Sequence, residues 1–293
     1  MTASDSPDRK IAFQGEPGAY SHQACIAAFP DLEPLPCPAF EDAFAAVQEG
    51  RAGLALIPIE NSLAGRVADI HHIMPDSKLH IIGEHFERVH HHLLALPGAK
   101  LSDIKTVRSH VHALGQCRKF LREHGIKAVV SGDTAGAAAE VAERKDKTLG
   151  AIAGEQAAKL YGLVSLAQGI EDAEHNTTRF LVMSREAKEP APGSVPCITT
   201  FMFRVRNVPA ALYKAMGGFA TNGINMTKLE SYQINGTFTA TLFYADVEGH
   251  PEDVGLRNAL EELDFFSREV RILGVYPAHP FRFRARQAGE SAR

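Results

Sequence analysis

The sequence predicts an α/β chain with a largely parallel sheet in its first part and a separate βαββαβ domain behind it. Three observations carry that prediction. Short apolar runs alternate with longer amphipathic ones from Ile11 to Met183, as βα units require. A break from Ser184 to Pro196, holding Pro190, Pro192, Gly193 and Pro196, then interrupts the pattern and reads as an extended linker. Beyond it the runs change order to strand, helix, strand pair, helix and strand.

Each element of the first part has its own signal. The strand Ile11-Ala12-Phe13 runs into Gly15-Glu16-Pro17-Gly18-Ala19-Tyr20-Ser21 and a helix-like stretch from His22 to Phe29. Glycines there let the backbone approach a ligand, and a helix start offers N–H groups to an anion. A plain turn capped by Ser21 accounts for the loop at least as well. After the amphipathic stretch Ala39 to Gln48, the apolar run Gly53 to Pro58 leads into Glu60-Asn61-Ser62, with a helix expected from near Leu63. Asn61 or Ser62 serves there equally well as that helix's cap or as a ligand contact. Ile81 to Leu96 has no Gly or Pro after Gly83 and reads as an extended crossing segment, which suggests two lobes. Thr106-Val107-Arg108 is followed by Ser109 as a natural N-cap, with Gln116 farther along a helix read through Ala113 to Glu123. Ala128 to Ser131 repeats the arrangement, with Gly132-Asp133-Thr134-Ala135 opening a helix through Gly136 to Arg144, and Leu149 to Ala153 is a further strand. Asn176-Thr177-Thr178-Arg179-Phe180 enters the strand Phe180 to Met183. Side chains alternate along a strand, so Thr178 and Phe180 share one face and Arg179 takes the other.

In the second part, Cys197 to Val205 reads as strand, Pro209 to Ala220 as helix, Met226 to Tyr232 and Phe238 to Asp246 as a strand pair, Asp253 to Phe265 as helix and Val270 to Tyr276 as closing strand. Asn235-Gly236 supplies the turn of the pair, since both central positions of the favoured hairpin turn want φ > 0. The basic, small and polar tail Arg282 to Arg293 is expected to fray.

Composition narrows the function classes. With 293 residues, 45% hydrophobic and 23% charged, the chain can build its cores without staples. A net charge of −4 and no long basic run before the tail favour neither nucleic acid nor an anionic membrane surface as partner. A polar, acidic start from Met1 to Lys10 and no apolar stretch near spanning length point to the cytoplasm. Cys25, Cys37, Cys117 and Cys197 are scattered, as expected of reduced thiols rather than a disulfide framework or a zinc knuckle. His71, His72, His80, His85 and His90 to His92 crowd one region without a metal-ligand spacing, so no metal site is expected there. What remains is several polar strand ends and one arginine, which together suit a small ligand carrying carboxylates.

Gly15 to Ser21, Pro58 to Gly65, Ser109 to Cys117, Asp133-Thr134-Ala135 and Asn176 to Phe180 stand in the order and approximate spacing of the prephenate dehydratase family, which the chain closely resembles from Ile11 to Tyr276. The Thr-Arg-Phe step and the Pro-Ile-Glu-Asn-Ser-x-x-Gly octet are the most specific motifs. The resemblance implies a two-lobed catalytic region like a type II periplasmic binding protein, followed by a ferredoxin-like ACT regulatory domain. The implied boundaries are 10–185 for the catalytic region, with lobes of 10–85 plus 177–185 and of 86–176, then a linker at 186–196, the ACT domain at 197–277 and a tail at 278–293. It also implies conversion of prephenate to phenylpyruvate on the way to phenylalanine without metal or cofactor, by a homodimer or homotetramer. No chorismate mutase helix precedes Ile11, which implies the monofunctional form.

By motif, Thr178 is the implied catalytic hydroxyl and Arg179 the group that binds or orients a substrate carboxylate. Glu60, Asn61, Ser62, Ser109, Gln116, Thr177, Phe180 and the backbone at Gly18, Ala19 and Ser21 are the implied pocket. L-phenylalanine is the implied effector, at Ala210, Ala211, Leu212, Asn225, Glu230 and Ser231. The sequence departs from the family pattern in reading Gly-Glu-Pro-Gly in the first loop, Ala210-Ala211-Leu212 for Gly-Ala-Leu, and Glu230-Ser231-Tyr232-Gln233 for Glu-Ser-Arg-Pro. Arogenate dehydratase activity and a non-enzymatic ligand-sensing module are the rival readings.

Overall fold

The computed structural model describes residues 6–67, 70–173, 175–206, 208–233 and 240–284. They form two compact units, one of the chain up to Ile70 with His85–Phe180, the other of His71–Glu84 with the chain from Leu181 on.

The chain opens with β1 (Lys10–Gln14), α1 (Tyr20–Ala28), β2 (Glu33–Cys37), α2 (Phe40–Gln48), β3 (Leu54–Asn61), β4 (Gly65–Arg66) and the turn-length α3 (Ile70–Ile73). The crossing segment is β5 (His80–Arg88) followed by β6 (His92–Ala95), extended as its lack of breakers predicts. Then come β7 (Thr106–Ser109), α4 (Val111–Gln116), α5 (Arg118–Glu123), β8 (Lys127–Val130), α6 (Thr134–Arg144), β9 (Leu149–Ala153), α7 (Glu155–Tyr161), β10 (Val164–Gln168) and β11 (Thr177–Ser184).

One sheet runs β2-β1-β3-β11-β5 with β4 on β3, and another runs β10-β6-β9-β7-β8. The expectation of largely parallel sheets is corrected to mixed ones. β1 pairs in parallel with β2 and β3, and β7 with β8 and β9, but β6 is antiparallel to both β9 and β10.

Two expected helices also differ. Among the described residues no helix begins near Leu63; Gly65, at φ +83°, closes a turn that folds β4 back on β3, pairing Glu60 with Arg66 and Asn61 with Gly65. The helix read through to Glu123 breaks at Cys117 into α4 and α5 because the Asp172 carboxylate accepts the N–H groups of Arg118 and Lys119, each at 3.1 Å, and so starts a new helix.

The second unit holds β12 (Cys197–Val205), α8 (Ala211–Thr221), β13 (Met226–Gln233), β14 (Ala240–Glu248), α9 (Val254–Phe266) and β15 (Ser267–Pro277), the βαββαβ order expected. The sheet runs β13-β14-β12-β15, and Phe201, Phe203, Phe219, Phe243, Leu256 and Leu263 fill the core between it and the helices. Asn235-Gly236 lies outside the described residues. The tail does not begin by fraying: Arg282 forms a bidentate ion pair with Glu84, at 2.6 and 2.8 Å, and the His279 N–H donates to the same carboxylate at 3.0 Å.

Ala210 sits at φ +60°, where the related pattern has glycine. A Cβ in that region costs about 1 kcal/mol or more. Ala210→Gly is therefore expected to stabilise the domain by about 1 kcal/mol, read as a raised thermal midpoint.

Candidate functional site

The end of β3 and the start of β11 build the centre of the site. Glu60 meets Arg179, Asn61 meets Thr178 and Ser62 meets Thr177, a register that steps in opposite directions along the two strands. Alternation puts the two kinds of contact on opposite sides: an ion pair on one, a hydrogen-bonded amide and hydroxyl on the other. The Arg179 guanidinium is 3% exposed and its Nη1 lies 2.9 Å from Glu60 Oε1, which gives Glu60 a definite part as the counter-charge of a buried cation.

Asn61 is held from its own loop. Its Oδ1 accepts the N–H groups of Leu63 and Ala64 at 2.9 and 2.8 Å, so its Nδ2 must face the other way. There it donates to Thr178 Oγ1 at 3.0 Å and to Asn176 Oδ1 at 2.8 Å. Thr178 thus accepts with its oxygen and keeps its proton, which meets no acceptor among the described residues.

Gln116 closes the arrangement from α4, its Oε1 accepting Asn176 Nδ2 at 2.9 Å. Gln116, Asn61 and Thr178 are therefore linked through Asn176.

Other expected pocket residues are engaged structurally. Ser62 Oγ donates to the His175 carbonyl at 2.5 Å and accepts the Thr177 N–H at 3.0 Å, tying β3 to β11. Ser109 is not the cap of α4, a place taken by His110; it is the last residue of β7, fully buried, and donates to the Ile152 carbonyl at 2.6 Å. Ser21 caps nothing either, since α1 begins at Tyr20 with Ala19 as N-cap. The Gly18 N–H donates to His22 Nδ1 at 2.9 Å, and a Cβ on Gly18 would stand 3.1 Å from the Ala157 backbone. Close approach to α7 thus accounts for that glycine. Phe180 is buried in β11, and Asp133 caps α6 by accepting the Gly136 N–H at 2.6 Å.

Two residues of the site escaped the sequence reading. His91 Nε2 lies 2.8 Å from Gln116 Oε1, and its Nδ1 lies 2.7 Å from the Tyr20 hydroxyl. The signals were present as Tyr20 in the first loop and a histidine run on the crossing segment, but neither spacing matched a metal pattern. Burial holds the Tyr20 phenol well above its ordinary pKa, with Cys117 and Glu171 adding to the effect, so Tyr20 stays a donor. Burial pulls His91 down, against the opposing hydrogen bond to Gln116 and the charge of Glu171. For Glu171 burial would raise the carboxyl, but the His91 N–H and the His90 ring more than offset it.

Burial also lowers His22, His92 and His110. All four histidines then bind a proton less readily folded than unfolded, so their contribution is full above an unfolded pKa of about 6.5 and is lost as pH falls below it. The expected result is a thermal midpoint lower at about pH 5.5 than at about pH 7.5; an equal or higher midpoint at the lower pH contradicts it.

A family model described as prephenate dehydratase matches residues 11–188. A bifunctional N-acyl-homoserine lactone acylase/prephenate dehydratase of Komagataeibacter europaeus is 53% identical, over 94% of this chain and 98% of its own. Arogenate dehydratase/prephenate dehydratase 1 of Arabidopsis thaliana is 40% identical, over 94% of this chain and 74% of its own. A solved prephenate dehydratase from Arthrobacter aurescens in complex with L-Phe is 30% identical and superposes with a TM-score of 0.82, covering 97% of this chain and 98% of that one. The fold is accordingly the one the sequence led us to expect, a type II periplasmic-binding-protein-like region followed by a ferredoxin-like ACT domain.

Proposed function

The chain belongs to the prephenate dehydratase family of hydro-lyases, and on that premise we propose that it converts prephenate to phenylpyruvate with Thr178 as the catalytic hydroxyl. The observation that carries the residue assignment is the 3.0 Å hydrogen bond in which Asn61 donates to Thr178. A hydroxyl that accepts from an amide is polarised and keeps its own proton for a leaving group.

The chemistry asks for little else. The ring C–O bond breaks with its electrons on the departing oxygen, the bond to the ring carboxylate breaks with its electrons completing the aromatic ring, and carbon dioxide leaves. The departing oxygen takes a proton from solvent and leaves as water. A free threonine is too weak an acid to transfer its proton fully, so Thr178 stabilises the developing charge by hydrogen bonding. Arg179 orients a substrate carboxylate, sharing its guanidinium with Glu60. Ser109, Gln116, Ser62, Thr177, Phe180 and the Gly18 to Ser21 loop complete the pocket in this reading.

Parallel kinetics on prephenate and arogenate test the substrate assignment: a higher kcat/KM on prephenate supports it, and a preference for arogenate replaces it with arogenate dehydratase activity. Binding without turnover of either would leave a ligand-sensing module. The 53% identical relative supports a second reading, hydrolysis of N-acyl-homoserine lactones. Release of the free fatty acid, followed by mass spectrometry, credits that activity, and intact substrate removes it.

We further propose feedback by L-phenylalanine through the ACT domain of a dimer or tetramer, at Ala210, Ala211, Leu212, Asn225, Glu230 and Ser231. The L-Phe complex of the Arthrobacter aurescens relative supports this. In this chain Tyr232 donates to the Glu230 carboxylate at 2.6 Å and Lys228 pairs with it, so the altered motif still holds Glu230 in place. Titration with phenylalanine is expected to give both heat and inhibition; neither would leave the domain to assembly or to another ligand. The domain boundaries follow the implied division, 10–185, 186–196, 197–277 and 278–293, which the matched span of 11–188 supports. A cytoplasmic location is favoured by four buried, unpaired cysteines. Among the described residues no helix is long and apolar enough to cross a membrane.

A further inference from the structure

We infer that His91, as its neutral Nε2–H tautomer and seated by Tyr20, is a positioning residue that fixes the direction of the Thr178 hydroxyl through Gln116, Asn176 and Asn61. The inference rests on the assignment of Thr178 made above.

With the buried His91 ring neutral, the polarity of the chain of contacts leaves one consistent assignment. Two backbone N–H groups claim Asn61 Oδ1, so Asn61 Nδ2 donates to both Thr178 and Asn176 Oδ1. Asn176 Oδ1 is thereby an acceptor, and its Nδ2 must be the atom that donates to Gln116 Oε1. That oxygen cannot donate, so the His91 nitrogen 2.8 Å from it carries a proton. With one proton on a neutral ring, Nδ1 is an acceptor, and the Tyr20 hydroxyl gives its single proton to it at 2.7 Å in preference to the His90 carbonyl, which lies 3.0 Å from the same oxygen.

The ends of this chain are firm. His91 and Asn176 are 2% and 1% exposed. The His91 N–H donates to Glu171 Oε2 at 2.9 Å, its carbonyl accepts the Ile170 N–H at 3.1 Å, and the Tyr20 and His91 rings meet edge-on at 5.5 Å. Remove the His91 donor and Gln116 Oε1 loses one of two N–H groups, so its amide is free to rotate. A rotated Gln116 presents N–H to Asn176 Nδ2, which drives the Asn176 amide over and takes away the acceptor that aims Asn61. A buried half-satisfied network of this kind prefers other arrangements to the working one.

Four enzymes test this on prephenate: His91→Leu, His91→Gln, Thr178→Ala and the double variant His91→Leu with Thr178→Ala. His91→Leu is expected to lower kcat about tenfold with KM within about twofold, and His91→Gln, which restores an N–H toward Gln116, to recover to within about threefold of the parent. In the Thr178→Ala background the same His91→Leu change should cost less than about twofold, because its target is gone. An equal loss in both backgrounds overturns the inference, as does a His91→Gln enzyme no better than His91→Leu. Long-range proton–nitrogen spectra of the histidine-labelled parent protein give a readout free of activity. A neutral Nε2–H signal, assigned by its absence from His91→Gln, is expected, and an Nδ1–H signal overturns the inference. A parent enzyme without turnover would sink the dehydratase reading while the spectra still decide the tautomer.

Discussion

Thr178→Ala is expected to lower kcat on prephenate by on the order of 100-fold or more with KM little changed, because the hydroxyl acts on charge that develops only as the C–O bond breaks. Thr178→Ser keeps an oxygen within reach of Asn61 and should retain most of the rate, whereas Thr178→Val keeps the shape and should behave like alanine. The Asn61 amide retains Asn176 as acceptor in each case, so the fold is preserved and the loss is chemical. Steady-state kinetics with matched thermal midpoints read this directly. A near-normal kcat for Thr178→Val would remove Thr178 from the chemistry.

Arg282→Ala is expected to destabilise the second unit by about 3 kcal/mol, the largest stability effect foreseen for a single side chain here. The Glu84 side chain is 0% exposed and receives two N–H groups of that guanidinium, so its loss leaves a wholly buried carboxylate without its bidentate cation. Arg271 adds a hydrogen bond to the Pro75 carbonyl, and a Cβ on Gly274 would strike the Ile81 backbone, so segment 71–84 is seated on β15 and the chain after it. Arg282→Lys should recover only part of the loss, since one ammonium cannot meet both oxygens in a fork. Urea unfolding measures it, and a change under about 1 kcal/mol would show that the carboxylate is served by its remaining contacts.

Local patterns foretold most elements and misled where a distant partner decides. The runs Ile11 to Phe13, Thr106 to Arg108 and Leu149 to Ala153 became strands because each is apolar, short and bounded by turn residues. β2 went unread because Pro34 and Pro36 argue against a strand, and it is tolerated as one because it lies at the sheet edge, where missing N–H groups cost nothing. The helix expected after Ser62 failed for a similar reason. Polar residues before an apolar one cap a turn as readily as a helix, and Asn61 binds the N–H groups of a turn.

The site was half legible. Thr178, Asn61 and Gln116 announced themselves as polar residues at strand and helix ends, but their mutual geometry links positions 117 and 60 residues apart in the pairs Asn61–Thr178 and Gln116–Asn176. Ser109 showed the opposite error: its place after a strand suggested a cap, and its hydroxyl spends itself on a neighbouring strand. His91 stood in a run of three histidines with nothing local to separate it from His90 and His92. Only its partners Tyr20 and Gln116, 71 and 25 residues away, set it apart.

The central claim is that this site expels water and carbon dioxide together from one substrate. The most direct test is to incubate the purified protein with prephenate at neutral pH and measure phenylpyruvate and carbon dioxide in the same reaction. The account predicts that both appear in equal amounts and that Thr178→Val slows both alike. No phenylpyruvate, or a product that keeps the ring carboxylate, would contradict it.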